Sequence, residues 1–84
     1  MATKTLRSRG HRVLLAVLIE TRKKAGLTQQ QLADRLRLDQ SAVARIETGD
    51  RRIDPVECTA WGKACGMKGK AFLGLIGRRL DMEI

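Results

Sequence analysis

Hydrophobic residues recur along this chain at the three- and four-residue spacing of helices, and no strand pattern is visible. Leu14, Leu15, Leu18 and Ile19 form the first apolar stripe and predict a helix from His11 to Ala25. Arg22, Lys23 and Lys24 load its last turn, where cations suit the helix dipole. Gly26 then fits the left-handed position that stops a helix. A second helix opens with Thr28-Gln29-Gln30-Gln31. Thr followed three residues later by Gln is a capping box. Leu32, Ala33 and Leu36 make its inward face, the helix should stop near Arg37, and Leu38 is a buried turn residue.

Asp39 is a strong N-cap for a third helix that ends at Thr48-Gly49. Val43 and Ile46 sit three apart and face inward, which turns Gln40, Ser41, Ala44 and Arg45 outward on a face without a carboxylate. The fourth helix starts at Asp54-Pro55-Val56-Glu57, where Asp caps, Pro takes the first turn and Glu sits three after the cap. Ala60, Trp61 and Ala64 are its expected core face, with Trp61 a core residue rather than a stacking platform. After a turn over Gly66 to Gly69, a last helix runs from Lys70 to Leu80 with Phe72, Leu73, Ile76 and Leu80 in its stripe.

Residues 1–10 are basic and aperiodic, and they read as a flexible arm. It is either a frayed terminus or an arm that touches DNA through Lys4, Arg7 and Arg9. Residues 11–84 then form one domain, in keeping with a chain of 84 residues. His11 is expected at the surface near the start of the first helix.

Composition narrows the function. Hydrophobic residues make up 43% and charged residues 31%, as in a soluble globular protein, while aromatics are only 2%. The 17 Lys and Arg against 9 Asp and Glu give +8, which points to a polyanionic partner, nucleic acid first. The longest apolar run, Val13 to Ile19, is far short of the roughly 20 residues of a membrane span. It leads into Glu20-Thr21-Arg22-Lys23-Lys24 without a signal-peptide cleavage site. The basic residues are not segregated opposite one long apolar face, so a membrane surface is a poor partner. Cys58 and Cys65 lie seven apart on a helix, about 10 Å along its axis, too far for a disulfide. They read as small buried residues of a reduced, cytoplasmic protein. Two Cys and one distant His do not make a metal site. No nucleophile–base pair or phosphate-binding loop is present, so no enzyme and no cofactor are expected.

Two short helices joined by the tight turn from Leu36 to Asp39 make a helix-turn-helix. Ala33 must be small because the next helix crosses it. Leu32, Leu36, Leu38, Val43 and Ile46 lock the crossing and leave the outer face of the third helix free for a major groove. The run from Leu27 to Gly49 resembles the Cro/repressor-type helix-turn-helix of the XRE family, and the similarity spans about residues 13–66.

The resemblance implies an all-α, lambda-repressor-like domain of four or five helices and a bacterial or phage DNA-binding regulator. It implies that Gln40, Ser41, Ala44 and Arg45 face base edges, with Gln suited to adenine and Arg to guanine or phosphate. Thr28 and Gln29 at the start of the second helix, Arg37 in the turn, and Thr48, Arg51 and Arg52 after the third helix would meet the DNA backbone. Arg22 and Glu47 match a buried structural ion pair. The family usually has Gly where this chain has Arg37, and a non-Gly residue at positive φ costs about 1 kcal/mol.

The expected function is a sequence-specific transcriptional regulator of double-stranded DNA, a repressor acting as a homodimer on an inverted repeat, associated with the nucleoid when bound. The helix over residues 39–48 would enter the major groove. Residues 70–80, with Phe72, Leu73, Leu75, Ile76 and Leu80, either dimerise or close the core. The alternative function is an antitoxin or adaptor that mainly holds a protein partner. No sensor domain is apparent, so no small-molecule ligand is expected.

Overall fold

Five helices follow one another in the order α1 Arg9–Lys24, α2 Gln29–Leu36, α3 Gln40–Thr48, α4 Pro55–Ala64 and α5 Gly69–Glu83. The structure, a computed structural model, describes residues 8–83. Lys4 and Arg7 of the expected arm lie outside the described residues. No strand occurs among the described residues, and the all-α expectation stands.

The first helix departs from the reading in two ways. Ser8 Oγ accepts from the His11 backbone N–H at 3.1 Å and caps the helix, so Arg9 and Gly10 belong to its first turn rather than to a loose arm. Its buried face is Val13, Val17, Leu18, Thr21 and Arg22, while Leu14, Leu15 and Ile19 are only half-buried. α1 packs against both α3 and α5, and that pair of neighbours selects the face between them rather than the bulkiest stripe.

α2 and α3 form the helix-turn-helix. Thr28 Oγ1 accepts from Gln31 N–H at 3.0 Å and Gln31 Oε1 accepts from Thr28 N–H at 2.9 Å, completing the capping box. Leu32, Ala33, Val43 and Ile46 are fully buried where the two helices cross, and Leu36 and Leu38 pack at the edge of the core. Asp39 occupies the N-cap position of α3, but its side chain makes no cap bond; the first turn closes on the backbone, with Ala42 N–H donating to the Asp39 carbonyl at 3.0 Å.

Helices α1 to α4 all end in the same turn, in which a backbone N–H reaches back five residues. Leu27 donates to Arg22, Leu38 to Ala33, Asp50 to Arg45 and Met67 to Gly62. The residue before each donor sits at positive φ: Gly26, Arg37, Gly49 and Gly66. The turn keeps its geometry at Arg37 (φ 58°, ψ 39°), so the family's glycine is replaced without rebuilding the loop.

The last two helices close the core. Asp54 and Glu57 form the expected capping box at the start of α4. Trp61 is fully buried, and its indole N–H donates to the Leu18 carbonyl at 3.1 Å. Phe72 packs so tightly on α4 that a Cβ at Gly62 would lie 2.5 Å from its ring. This places part of α5 in the core of the domain. Phe72 and Ile76 are core residues, Leu75 and Leu80 pack half-buried against it, and of the five only Leu73, at 46%, is exposed. The core therefore needs α5. Cys58 is buried as read from the sequence, whereas Cys65, at the C-cap of α4, is only half-buried. No helix among the described residues is long and apolar enough to cross a membrane.

Two substitutions test this packing. Gly62→Ala forces the Phe72 ring aside and should cost about 1–3 kcal/mol, read as a lower melting temperature by circular dichroism. Arg37→Gly removes the left-handed strain and should stabilise by up to about 1 kcal/mol; a fall in melting temperature would contradict the assigned turn.

Candidate nucleic-acid interface

The outer face of α3 is held from below by a buried ion pair. Arg22 Nε donates to Glu47 Oε2 at 2.7 Å and Arg22 Nη2 to Glu47 Oε1 at 3.2 Å. Arg22 Nη1 also donates to the Leu27 carbonyl at 2.8 Å. The side chains are 11% and 5% exposed, so each charge depends on its partner for the solvation that water no longer gives. The pair joins the end of α1 to the end of α3, as the resemblance implied.

From this pair a chain of side chains leads to the surface. Gln29 Nε2 donates to Glu47 Oε1 at 2.9 Å, and Gln40 Nε2 donates to Gln29 Oε1 at 2.8 Å. The carboxylate can only accept, so it dictates which way round the Gln29 amide lies. Gln29 in turn orients Gln40 and leaves it one amide N–H and its carbonyl oxygen. A donor beside an acceptor is the pattern that matches the N7 and N6 edge of adenine. The second amide N–H of Gln29 makes no hydrogen bond among the described residues. The helix starts of α2 and α3 thus share one polar edge.

Further along α3, Ser41 and Arg45 are exposed, and Ala44 between them is half-buried. No hydrogen bond occupies the Arg45 side chain among the described residues, so it stands ready for an acceptor. Thr48 Oγ1 lies 3.2 Å from both the Arg45 carbonyl oxygen and Asp50 Oδ2. Thr28 uses its hydroxyl to cap α2.

The loop after α3 divides its two arginines. Arg52 is exposed. Arg51 is held by Glu57, with Nη2 to Oε2 at 2.9 Å and Nη1 to Oε1 at 3.3 Å, and its Nη1 also donates to the Arg52 carbonyl at 3.0 Å. Hydrogen bonding to Arg51 holds the Glu57 carboxyl below the usual carboxylate range. Arg51 therefore braces the loop against α4. Arg37 is exposed and borders a shallow groove with Leu36, Ala60, Lys63 and Ala64.

Sequence reasoning missed three of these links. The Gln29–Glu47 and Gln29–Gln40 bonds join residues 18 and 11 positions apart, and Arg51–Glu57 crosses a loop; none leaves a periodic signal. His11 was also misplaced. It is half-buried, its Nε2 is enclosed without a hydrogen-bond partner, and burial together with the charge of Arg52 pushes its pKa below the ordinary histidine value. Among the described residues no group of His, Cys, Asp and Glu could hold a metal.

Glu47→Ala should be severely destabilising, because it strands the Arg22 charge and frees Gln29 at once. The expected loss is about 3–5 kcal/mol, measured by urea denaturation; a loss under about 1 kcal/mol would mean that water solvates Arg22 after all.

The geometry agrees with what the chain is similar to. Residues 18–70 match the family model described as helix-turn-helix. A solved structure of an XRE-family like protein from Pseudomonas syringae pv. tomato str. DC3000 is 36% identical, with 92% of this chain and 94% of that chain covered and a TM-score of 0.78. No curated protein matches the chain. With its helix-turn-helix, its buried Arg22–Glu47 pair and this coverage, the chain belongs to the XRE family of helix-turn-helix DNA-binding transcription regulators.

Proposed function

We propose that this protein is a sequence-specific repressor that binds an inverted-repeat operator as a homodimer, with α3 in the major groove. The observation that carries this reading is the Gln29–Gln40 edge, held in one orientation by the buried Arg22–Glu47 pair. A side chain used only for charge has no need of a fixed donor and acceptor. Gln40 reads adenine, and Arg45, about one turn further along the same face, reads guanine or holds a phosphate. Ser41 and Ala44 complete the reading face.

Backbone contacts surround it. Gln29 and the N–H groups at the start of α2 meet one phosphate. Arg52 and Thr48 meet another from the loop after α3, and Arg51 holds that loop in place through Glu57. Thr28 and Arg37 flank the same strand. One α3 covers only a few base pairs, so two copies on one DNA face, about 34 Å apart, supply specificity. Leu73 is the member of the expected dimer set that remains available for a second copy. Occupying a promoter is enough to block it, so repression in the cytoplasm is the simplest consequence of such binding. The antitoxin or adaptor reading leaned on an apolar C-terminal helix, and with Phe72 and Ile76 in the core that support is reduced.

Selection from random duplex DNA at about 150 mM salt, a physiological ionic strength, tests the whole reading. An enriched inverted repeat with half-sites one helical turn apart is expected; binding without enrichment would leave a backbone-reading protein, and no binding would overturn the reading. Arg45→Ala should then cost about 1–3 kcal/mol and relax one base position, while Arg52→Ala should weaken all sequences alike and lower the salt slope by about one.

A further inference from the structure

We propose that the cavity between α1, the α4–α5 turn and α5 binds a small apolar molecule that carries one carboxylate. Three stretches of chain enclose about 310 Å³: Glu20, Thr21, Lys24 and Ala25 at the end of α1, Cys65 and Met67 at the turn, and Leu75 and Arg79 on α5. Small-ligand sites run from about 300 to 1,000 Å³, so a molecule at the small end of that range fits. The expectation that no small molecule binds rested on there being no separate sensor domain, and this cavity lies within the one domain. None of its residues belongs to the reading face or its backbone contacts, so the proposal stands apart from the repressor reading.

Thr21 is the observation that points to a ligand. It is 7% exposed, and its hydroxyl forms no hydrogen bond among the described residues. A helical threonine ordinarily turns its hydroxyl back to the carbonyl four residues earlier, as Thr59 does to Pro55 at 2.9 Å. Thr21 makes no such bond and lines the cavity instead. The one fully enclosed side-chain polar atom without a partner among the described residues is His11 Nε2, so the Thr21 hydroxyl keeps open space beside it. Buried polar groups are nearly always paired, and a ligand oxygen supplies the missing partner.

The charges at the lip set the sign of the ligand. Glu20 is used up: Arg79 Nη1 donates to its Oε2 at 2.8 Å and Arg79 Nη2 to its Oε1 at 3.3 Å. Lys24 is exposed and forms no ion pair among the described residues. Residues three apart are neighbours on a helix surface, about 5–6 Å between Cβ atoms, so the Thr21 hydroxyl and the Lys24 ammonium can hold the two oxygens of one carboxylate. The C-terminal end of α1 disfavours an anion through its dipole. Lys24 and Arg79 reverse that sign here, with Glu20 the single carboxylate against them.

The remaining wall is apolar. Met67 and Leu75 are half-buried, and Ala25 completes the side nearest Lys24. Burial pushes the Cys65 thiol up, so it lines the cavity as a neutral group rather than a competing anion. A carboxylate at the Thr21–Lys24 end therefore leaves its hydrocarbon body against Met67, Leu75 and Cys65.

The full chain is titrated with octanoate while the methionine methyl groups are followed by NMR. Met67 lines the cavity, and Met82, 80% exposed and outside the lining, is the control. A saturable shift at Met67 is expected, with half-saturation on the order of 0.1–1 mM for a ligand of this size and Met82 unmoved. Octan-1-ol, the same body without the charge, should bind about two- to fivefold more weakly, and octylammonium more weakly still. Lys24→Gln should weaken octanoate by about two- to fivefold and leave octanol unchanged. Thr21→Val should weaken octanoate by about two- to tenfold. Circular dichroism checks that both variants fold, and Lys24 is exposed, so its variant keeps the test decisive if Thr21→Val unfolds. No saturable shift up to about 10 mM overturns the site. Equal shifts at both methionines overturn it too, as the mark of detergent-like association. Octanol and octylammonium binding as tightly as octanoate overturn the carboxylate assignment.

Discussion

The Arg22–Glu47 pair is the constraint on which the polar edge shared by α2 and α3 depends. Its two charges lie almost out of reach of water, so neither can move without losing the other. The pair fixes the end of α1 against the end of α3, and through the Leu27 carbonyl it also fixes the turn into α2. Glu47 then passes its acceptor to Gln29, and Gln29 passes its own to Gln40. A buried ion pair is weak evidence for stability, since a well-packed apolar pair can do as well. Its use here is to give an exposed amide one orientation, which an apolar pair could not do.

The rest of the fold supplies rigidity around that pair. Four helices end in the same reverse-reaching turn, which keeps the connections short and the crossing angles defined. Trp61 and Phe72 fill the space behind the helix-turn-helix, and Gly62 lets α5 approach closely enough for Phe72 to do so. Arg35 adds a tie between the two halves by donating to the Ala64 carbonyl at 2.8 Å. Arg37 is the one non-glycine residue at positive φ among the described residues. A residue kept in the left-handed region where glycine would serve is usually kept for its side chain.

The net charge of +8 is not spread evenly in its use. Arg22 and Arg51 are bound to carboxylates inside or at the edge of the domain, and Arg79 is tied to Glu20 on α1 at 2.8 Å. Arg45 and Arg52 are exposed and form no ion pair among the described residues. Positive charge that is structural and positive charge that faces outward look the same in a composition. Only the positions of Glu20, Glu47 and Glu57 separate them.

What the sequence determined by itself was local. The capping boxes at Thr28–Gln31 and Asp54–Glu57, the left-handed stops, the small Ala33 at the crossing and the outward set Gln40, Ser41 and Arg45 all follow from spacings of two to five residues. Helical geometry alone decides which of those residues meet. The ion pair was legible only through family resemblance, because 25 residues separate its partners. What only the tertiary structure decided was which face of each helix finds a neighbour. α1 turned toward Val13 and Val17 because α3 and α5 both pack on it, and α5 gave Phe72 to the core because α4 has Gly62 where it arrives. The Gln29–Gln40 edge, the bracing of Arg51 and the enclosure of His11 belong to the same class. Each depends on the angle and distance at which two elements cross, and periodicity along one helix says nothing about the helix beside it.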